Sequence, residues 1–74
     1  MDEQQFLEFF TSLFDGLSEE IDMDTEFRYL DEWGSLSGLA FMTEMEDKYH
    51  KTFSVPQMRQ AETIGDLYKL YKDL

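Results

Sequence analysis

Residues 33–50 read WGSLSGLAFMTEMEDKYH, and the spacing of their apolar side chains predicts a helix from about Ser35 to His50. Residues three and four positions apart lie on one face of a helix. The side chains expected to be buried follow that spacing and are Leu36, Leu39, Met42, Met45 and Tyr49, with Phe41 on the flank. The opposite face carries Ser37, Ala40, Glu44 and Asp47. The exposed middle of this helix is therefore predicted to be acidic.

A helix is also predicted upstream, from Asp2 to Leu17. Its apolar positions repeat at the helical period and are Phe6, Phe9, Phe10, Leu13, Phe14 and Leu17. Gly16 is a residue type that commonly ends a helix. Residues 18–34 show no sustained period, which predicts a long loop with a single helical turn after Asp24 or Thr25.

The C-terminal part of the chain is predicted to form a short helix and then a longer one. Pro56 fixes its own φ and disfavours helix at the residue before it, so we expect a turn and then a short helix from Gln57 to Ala61. Thr63 is a preferred N-cap, and Asp66 follows three residues later, as in a capping box. The last helix is predicted from Ile64 to Leu74.

The predicted fold is all-α, a single domain over residues 1–74 with three main helices and one short helix. A chain of 74 residues has room for one domain. Aromatic residues make up 16% of it, seven of them phenylalanine, which is enough to supply a small core. The chain is therefore expected to fold although 31% of its residues are charged.

The charge is strongly acidic, with 17 Asp and Glu against 6 Lys and Arg and a net charge of −11. Such a surface repels phosphate backbones, so nucleic acid is excluded as a partner. The chain also lacks the basic amphipathic helix of proteins that bind membrane surfaces. Its charge favours rapid encounter with basic patches on other proteins. An acidic surface that serves solubility alone fits the composition equally well.

Cysteine is absent, so the chain forms no disulfide or thiolate metal site and has no thiol of its own for thioester chemistry. Its start, Met1-Asp2-Glu3, is the reverse of the basic start of a signal peptide, and no apolar run is long enough to span a membrane. We therefore expect a cytoplasmic protein.

Residues for catalysis or metal binding are lacking as well. The single histidine, His50, lies at a predicted helix end among lysines, where the helix dipole favours a solvated side chain. The acidic run from Asp22 begins like a calcium loop, but Phe27 stands at its sixth position and Trp33 at its twelfth, where glycine and glutamate are needed. The sequence thus predicts neither an enzyme nor a metal site.

Ser35 is the residue with the most informative surroundings. Taken alone, it is a preferred N-cap for the helix that follows, with Gly34 supplying the turn, and a Gly-Ser-Leu tripeptide is a weak motif. The residues that follow change this interpretation, because three further motifs come after Ser35 in order along the chain. After Ser35-Leu36 come Met45-Glu46-Asp47-Lys48-Tyr49, then Phe53 and Pro56, then Thr63-Ile64-Gly65-Asp66-Leu67.

This pattern resembles the acyl carrier protein family over most of the chain. That family has an Asp-Ser-Leu motif at the start of its second helix, a Leu-Glu-Glu-x-Phe stretch in that helix, and a Thr-Val-Gly-Asp segment opening its last helix. Asp24 and Phe27 resemble the family's loop anchor before the serine. The resemblance implies a carrier with a 4′-phosphopantetheine arm attached to Ser35, bearing acyl or aminoacyl groups as thioesters. It implies a monomer that is itself not an enzyme.

The resemblance also implies the partners. These are a phosphopantetheinyl transferase and acyl- or aminoacyl-transferring enzymes with basic docking patches, which would contact Leu36, Glu44 and Asp47. Two positions depart from the family: Gly34 replaces the usual Asp before the serine, and Ala40 replaces an acidic residue. The alternative is therefore an unmodified protein of the same fold that acts as an acidic protein-interaction module. The pathway served and the group carried stay open.

Overall fold

The structure is a computed structural model that describes residues 1–74. Its helices are α1 (Glu3–Ser12), α2 (Ser37–Tyr49), α3 (Val55–Gln60) and α4 (Ile64–Asp73), and a single 3-10 turn spans Phe27–Tyr29. The prediction of an all-α fold with three main helices and one short helix is confirmed. No helix is both long and apolar enough to span a bilayer.

Helix α1 ends at Ser12, well before the predicted end at Leu17. The amides of Leu13 and Phe14 donate to carbonyls only three residues back, at 3.2 and 3.1 Å, which tightens the last turn and ends the helix. The hydroxyl of Ser12 also donates to a carbonyl of its own helix, as serine does when it competes with backbone bonding. Leu13 and Phe14 still pack against the core, so the apolar pattern marks burial beyond the end of the helix.

Helix α2 buries only part of the predicted face, since Met42, Met45 and Tyr49 lie in the core or pack against it. Phe41 and Met45 are fully buried, whereas Leu36 is 73% exposed and Leu39 is 61% exposed. Each residue turns a helix by about 100°, so Phe41 and Met45 lie about 40° apart while Leu39 lies about 160° from Phe41. The prediction that Leu36 and Leu39 belong to the buried stripe was wrong. The phenylalanines of α1 select Phe41 instead, because its ring fills the core that they form.

The core consists of 12 buried residues, and none of them is polar or charged. They come from every helix and from the loops and are Phe6, Phe9, Phe10, Phe27, Leu30, Phe41, Met45, Phe53, Met58, Ala61, Ile64 and Leu67. Phe41 lies at its centre, with ring centroids 5.1 Å from Phe53, 5.8 Å from Phe9 and 6.2 Å from Phe6. Tilted and edge-to-face rings of this kind contribute beyond the area that they bury.

Residues 18–34 form a long loop, as predicted, and its 3-10 turn follows Thr25 closely. This loop is tied to the start of α4 by backbone hydrogen bonds. The amide of Ile64 donates to the carbonyl of Thr25 at 3.0 Å, and the amide of Gly65 donates to the carbonyl of Met23 at 2.8 Å. These long-range hydrogen bonds hold the loop in place where it has no regular helix.

Arg28 joins the loop to α3. Its guanidinium donates to the carbonyls of Met58 and Ala61 at the end of α3. Its charge also lies 4.9 Å from the centroid of the Phe27 ring. A cation at a helix C-terminus satisfies carbonyls that have no partner in the helix. The short helix α3 is thereby held against the loop.

Three of the helices begin with a capping box. The predicted pair of Thr63 and Asp66 is confirmed for α4, and a reciprocal pair of the same kind starts α1 at Asp2. At α3 the box uses Ser54, so this helix begins at Val55 rather than at the predicted Gln57. Proline is tolerated in the first turn because its missing amide has no helical acceptor there.

The capping box of α4 makes the stability of the fold depend on pH through Asp66. Its carboxylate accepts from the amides of Glu62 at 2.9 Å and Thr63 at 3.1 Å, and these bonds lower the pKa of Asp66 below its ordinary 3.8. A lowered folded-state pKa means that the group stabilises the fold above its ordinary pKa. That contribution is lost as the pH falls through the lowered value.

We expect Asp66→Asn to lower the free energy of unfolding at pH 7 by about 1 kcal/mol, the usual worth of such a hydrogen bond. The difference from the wild type should shrink as the pH falls below about 4, since the unfolded wild type then takes up a proton that the folded carboxylate accepts only at lower pH. Urea denaturation at pH 7, 4 and 2.5 measures this, with Asp31→Asn as a control that removes an exposed carboxylate. A difference that stays constant across pH would contradict the role of the charge.

Candidate functional site

A tight turn from Gly34 to Ser37 precedes α2. The amide of Gly34 donates to the side-chain oxygen of Ser37 at 2.8 Å, and the amide of Ser37 donates back to the carbonyl of Gly34 at 3.1 Å. Leu36 has φ −98 and ψ −4, values that suit the third residue of a type I turn. Ser35 and Leu36 thus occupy the corner of the turn, where side chains project away from the fold.

Ser35 is exposed, and its hydroxyl forms no hydrogen bond within the chain, whereas Ser37 closes the turn. Helix α2 begins at Ser37 with Leu36 in the cap position, so the interpretation of Ser35 as an N-cap was wrong. The physical reason is that the reciprocal bonds between Gly34 and Ser37 set the helix start two residues later. They leave the hydroxyl of Ser35 without a role in starting the helix.

The start of α2 also lacks the side-chain cap that the other helices have. The amides of Gly38 and Leu39 consequently have no acceptor within the chain. Unsatisfied amides at a helix N-terminus, together with the helix dipole, favour negative charge nearby. Ser35 lies three residues before Gly38 and four before Leu39 in the chain.

An open groove of about 370 Å³ runs beside Ser35, between the start of α2 and helix α3. Its lining is mostly apolar and consists of Phe27, Arg28, Trp33, Gly34, Ser35, Gly38, Leu39, Met42, Val55, Met58 and Arg59. Trp33 forms one wall and is held by a parallel stack on Phe10, with centroids 6.0 Å apart, and by an edge contact with Phe27 at 4.8 Å. Trp33 thus packs against the edge of the core.

The predicted partner-binding residues lie on the solvent side of α2. Leu36 and Asp47 are exposed, with Leu36 next to Ser35 and Asp47 about three helical turns further along. Glu44 is partly exposed and forms an ion pair with Lys48, with 3.2 Å between its carboxylate and the Lys48 ammonium nitrogen. An exposed pair of this kind contributes little to stability. No group of three or more His, Asp and Glu side chains is placed to hold a metal ion.

Sequence reasoning missed three residues around Ser35. Leu39 and Val55, which is 50% exposed, form the apolar rim of the groove, and Arg59 lies at its side. A signal for Leu39 was present, since Phe41 and Met45 define a competing stripe four residues apart that leaves Leu39 outside. No local signal marks Val55 or Arg59, because their position depends on how α3 packs against α2.

Comparison with known proteins identifies no relative of this chain. No protein-family model matches it, and no curated protein and no solved structure matches it at a significant level.

Proposed function

We propose that this chain is an acyl carrier protein, with 4′-phosphopantetheine attached to Ser35 and acyl or aminoacyl groups carried on that arm as thioesters. The observation that carries the proposal is the hydroxyl of Ser35, which is exposed at the corner of a turn and has no hydrogen-bond partner in the chain. The motifs around it that resemble the carrier family support the same role. In this role the chain is a substrate of enzymes and catalyses nothing itself.

The attachment step needs an accessible hydroxyl and a partner enzyme. The oxygen of Ser35 attacks the pantetheine-bearing phosphorus of coenzyme A, a new P–O bond forms, and the pyrophosphate bond breaks with release of adenosine 3′,5′-bisphosphate. The transferase accepts the hydroxyl proton. A hydroxyl that has no internal hydrogen bond enters this reaction without breaking any contact of the fold, and the turn leaves its solvent side open.

The start of α2 suits the product of that step. The phosphodiester on Ser35 would stand beside the free amides of Gly38 and Leu39 at the positive end of the helix. Phosphate groups are favoured at such positions. The negative charge of the phosphodiester would therefore lie near backbone amides that can donate to it.

The groove suits the far end of the arm. Leu39, Met42, Val55 and Met58 offer an apolar surface to a carried chain, and each methylene that leaves water there contributes about 0.8 kcal/mol. Methionine side chains adapt to different shapes, so Met42 and Met58 can accommodate different groups. Cysteine is absent from the chain, so the thiol for thioester chemistry would come from the arm alone.

The surface of α2 suits partners that bind and leave repeatedly. Asp47 and Glu44 give it negative charge, which speeds encounter with basic patches through steering. Leu36, 73% exposed beside Ser35, offers an apolar contact at the point of attachment. We expect transferring enzymes to contact these three residues.

A second candidate is an unmodified interaction module of the same fold, and Gly34 is the observation that favours it. The carrier family usually has Asp before the serine, where it helps the transferase to bind. No neighbouring atom lies within 4 Å of the place that a Cβ at Gly34 would occupy. The space for an aspartate is thus present while the residue is not.

Incubation of the protein with coenzyme A, Mg²⁺ and a broad-specificity phosphopantetheinyl transferase separates these two functions. We expect the intact mass to rise by one phosphopantetheine, and the gain to vanish completely in Ser35→Ala. Thr52→Ala is the matched control, since it removes an exposed hydroxyl that forms no hydrogen bond in the chain, and this protein should still be modified. No gain with any transferase tested, including one encoded near this gene, would leave the interaction module as the better proposal.

A further inference from the structure

The groove beside Ser35 is cationic in a strongly acidic protein. Both arginines of the chain, Arg28 and Arg59, line it, and none of the 17 Asp and Glu residues does. The four lysines all lie outside it. With a net charge of −11, most of the surface repels anions, whereas this groove offers an anion positive charge with no carboxylate in its lining.

The two arginines differ in how many of their hydrogen-bond donors are free. The guanidinium of Arg28 is occupied by the carbonyls of Met58 and Ala61. Arg59 is exposed and forms no hydrogen bond, ion pair or aromatic contact within the chain. Its five donors are therefore free to bind a planar anionic group.

The surroundings strengthen such an interaction. Leu39, Met42 and Val55 line the same groove as Arg59, so an apolar chain and an anionic end can be held together there, and a hydrogen bond to the anion is charge-assisted. Gly38 also lines the groove, and its free amide adds the positive end of α2 to the charge of the arginines. An apolar chain that ends in an anion matches both features.

We propose that the groove binds an anionic group through Arg59, and that its ligand is a short apolar chain bearing phosphate or carboxylate oxygens. This inference rests on the proposed carrier function and adds the chemical class of what the groove holds. The anion has two sources: the phosphodiester of the arm, or an acidic end on the carried acyl group. If the anion is the acidic end of the acyl group, the carrier should bind acidic acyl groups in preference to neutral ones of equal length.

The absence of cysteine allows a test that needs no transferase. Ser35→Cys introduces a single thiol, which is coupled through a disulfide to alkyl reagents of equal length that end in methyl, carboxylate or phosphonate. We expect the carboxylate and phosphonate reagents to shift the NMR signal of the Arg59 Nε–H group, and the methyl reagent to leave it in place. The acid dissociation constant of the carboxyl end should be about tenfold higher than in the same protein with Arg59→Gln.

Lys69→Gln is the matched control, because it removes the same charge from an exposed residue outside the groove. Lys69→Gln should leave the acid dissociation constant of the coupled carboxyl end unchanged. An Arg59 signal that moves with none of the reagents, or a dissociation constant that Arg59→Gln does not change, would overturn the inference.

Wild-type protein loaded by a transferase then distinguishes the two sources. A shift of the Arg59 signal on attachment of the arm alone assigns the anion to the phosphodiester. A shift that appears with an adipoyl thioester and not with a hexanoyl thioester assigns it to the carried group. If the transferase does not modify Ser35, the carrier function fails, while the disulfide-coupled reagents still decide whether Arg59 binds anions.

Discussion

Phe41→Ala is expected to lower the free energy of unfolding by about 3–5 kcal/mol, the range for a phenylalanine removed from a packed core. Phe41 is fully buried, and its ring meets those of Phe53, Phe9 and Phe6 within 6.2 Å between centroids. Truncation leaves a cavity that the rigid neighbouring rings fill poorly. Small domains unfold at a cost of about 5–15 kcal/mol, so much of the stability depends on this one side chain.

Leu39→Ala is the matched control, because it removes a large apolar side chain from the same helix only two residues away. Leu39 is 61% exposed, so we expect a loss below about 1 kcal/mol. Urea denaturation followed by circular dichroism measures both variants. Equal losses, or a larger loss for Leu39→Ala, would show that α2 buries Leu39 as its spacing predicts and not Phe41.

Gly65→Ala is expected to lower the free energy of unfolding by about 1–3 kcal/mol, as overpacking does in a site that cannot expand. A Cβ at this position would lie 2.8 Å from the carbonyl oxygen of Met23, an approach that backbone atoms do not tolerate. Relief of this clash would weaken the hydrogen bond from the Gly65 amide to that same oxygen. The join between the long loop and α4 would loosen.

Gly→Ala inside a helix ordinarily stabilises it by about 0.5–1 kcal/mol. The loss expected for Gly65→Ala has the opposite sign, so the clash and the ordinary helix effect can be told apart. Gly34→Ala is the control, because nothing lies within 4 Å of the added methyl group, and it should change stability by no more than about 0.5 kcal/mol. Urea denaturation of both variants provides the comparison. A Gly65→Ala protein as stable as the wild type would mean that the loop does not approach α4 this closely.

The candidate site at Ser35 could be predicted in part. The position of a serine close to the start of α2 follows from the chain itself, because the apolar spacing marks the helix and Gly34 precedes the serine. The free hydroxyl depends on Ser37, which closes the turn in its place. The groove could not be predicted, since it requires α3 to lie beside α2 and Arg28 to hold the end of α3.

The sequence by itself determined the all-α class, the number of helices and the capping box of α4. Each of these depends on residues within about four positions of one another, for example Thr63 and Asp66, so local pattern is sufficient. The tertiary structure decided which face of α2 is buried, where α1 ends and what surrounds Ser35. Those outcomes depend on contacts between distant residues, such as Phe41 with Phe6 and Gly65 with Met23, and only the packed chain selects among the alternatives that the local pattern allows.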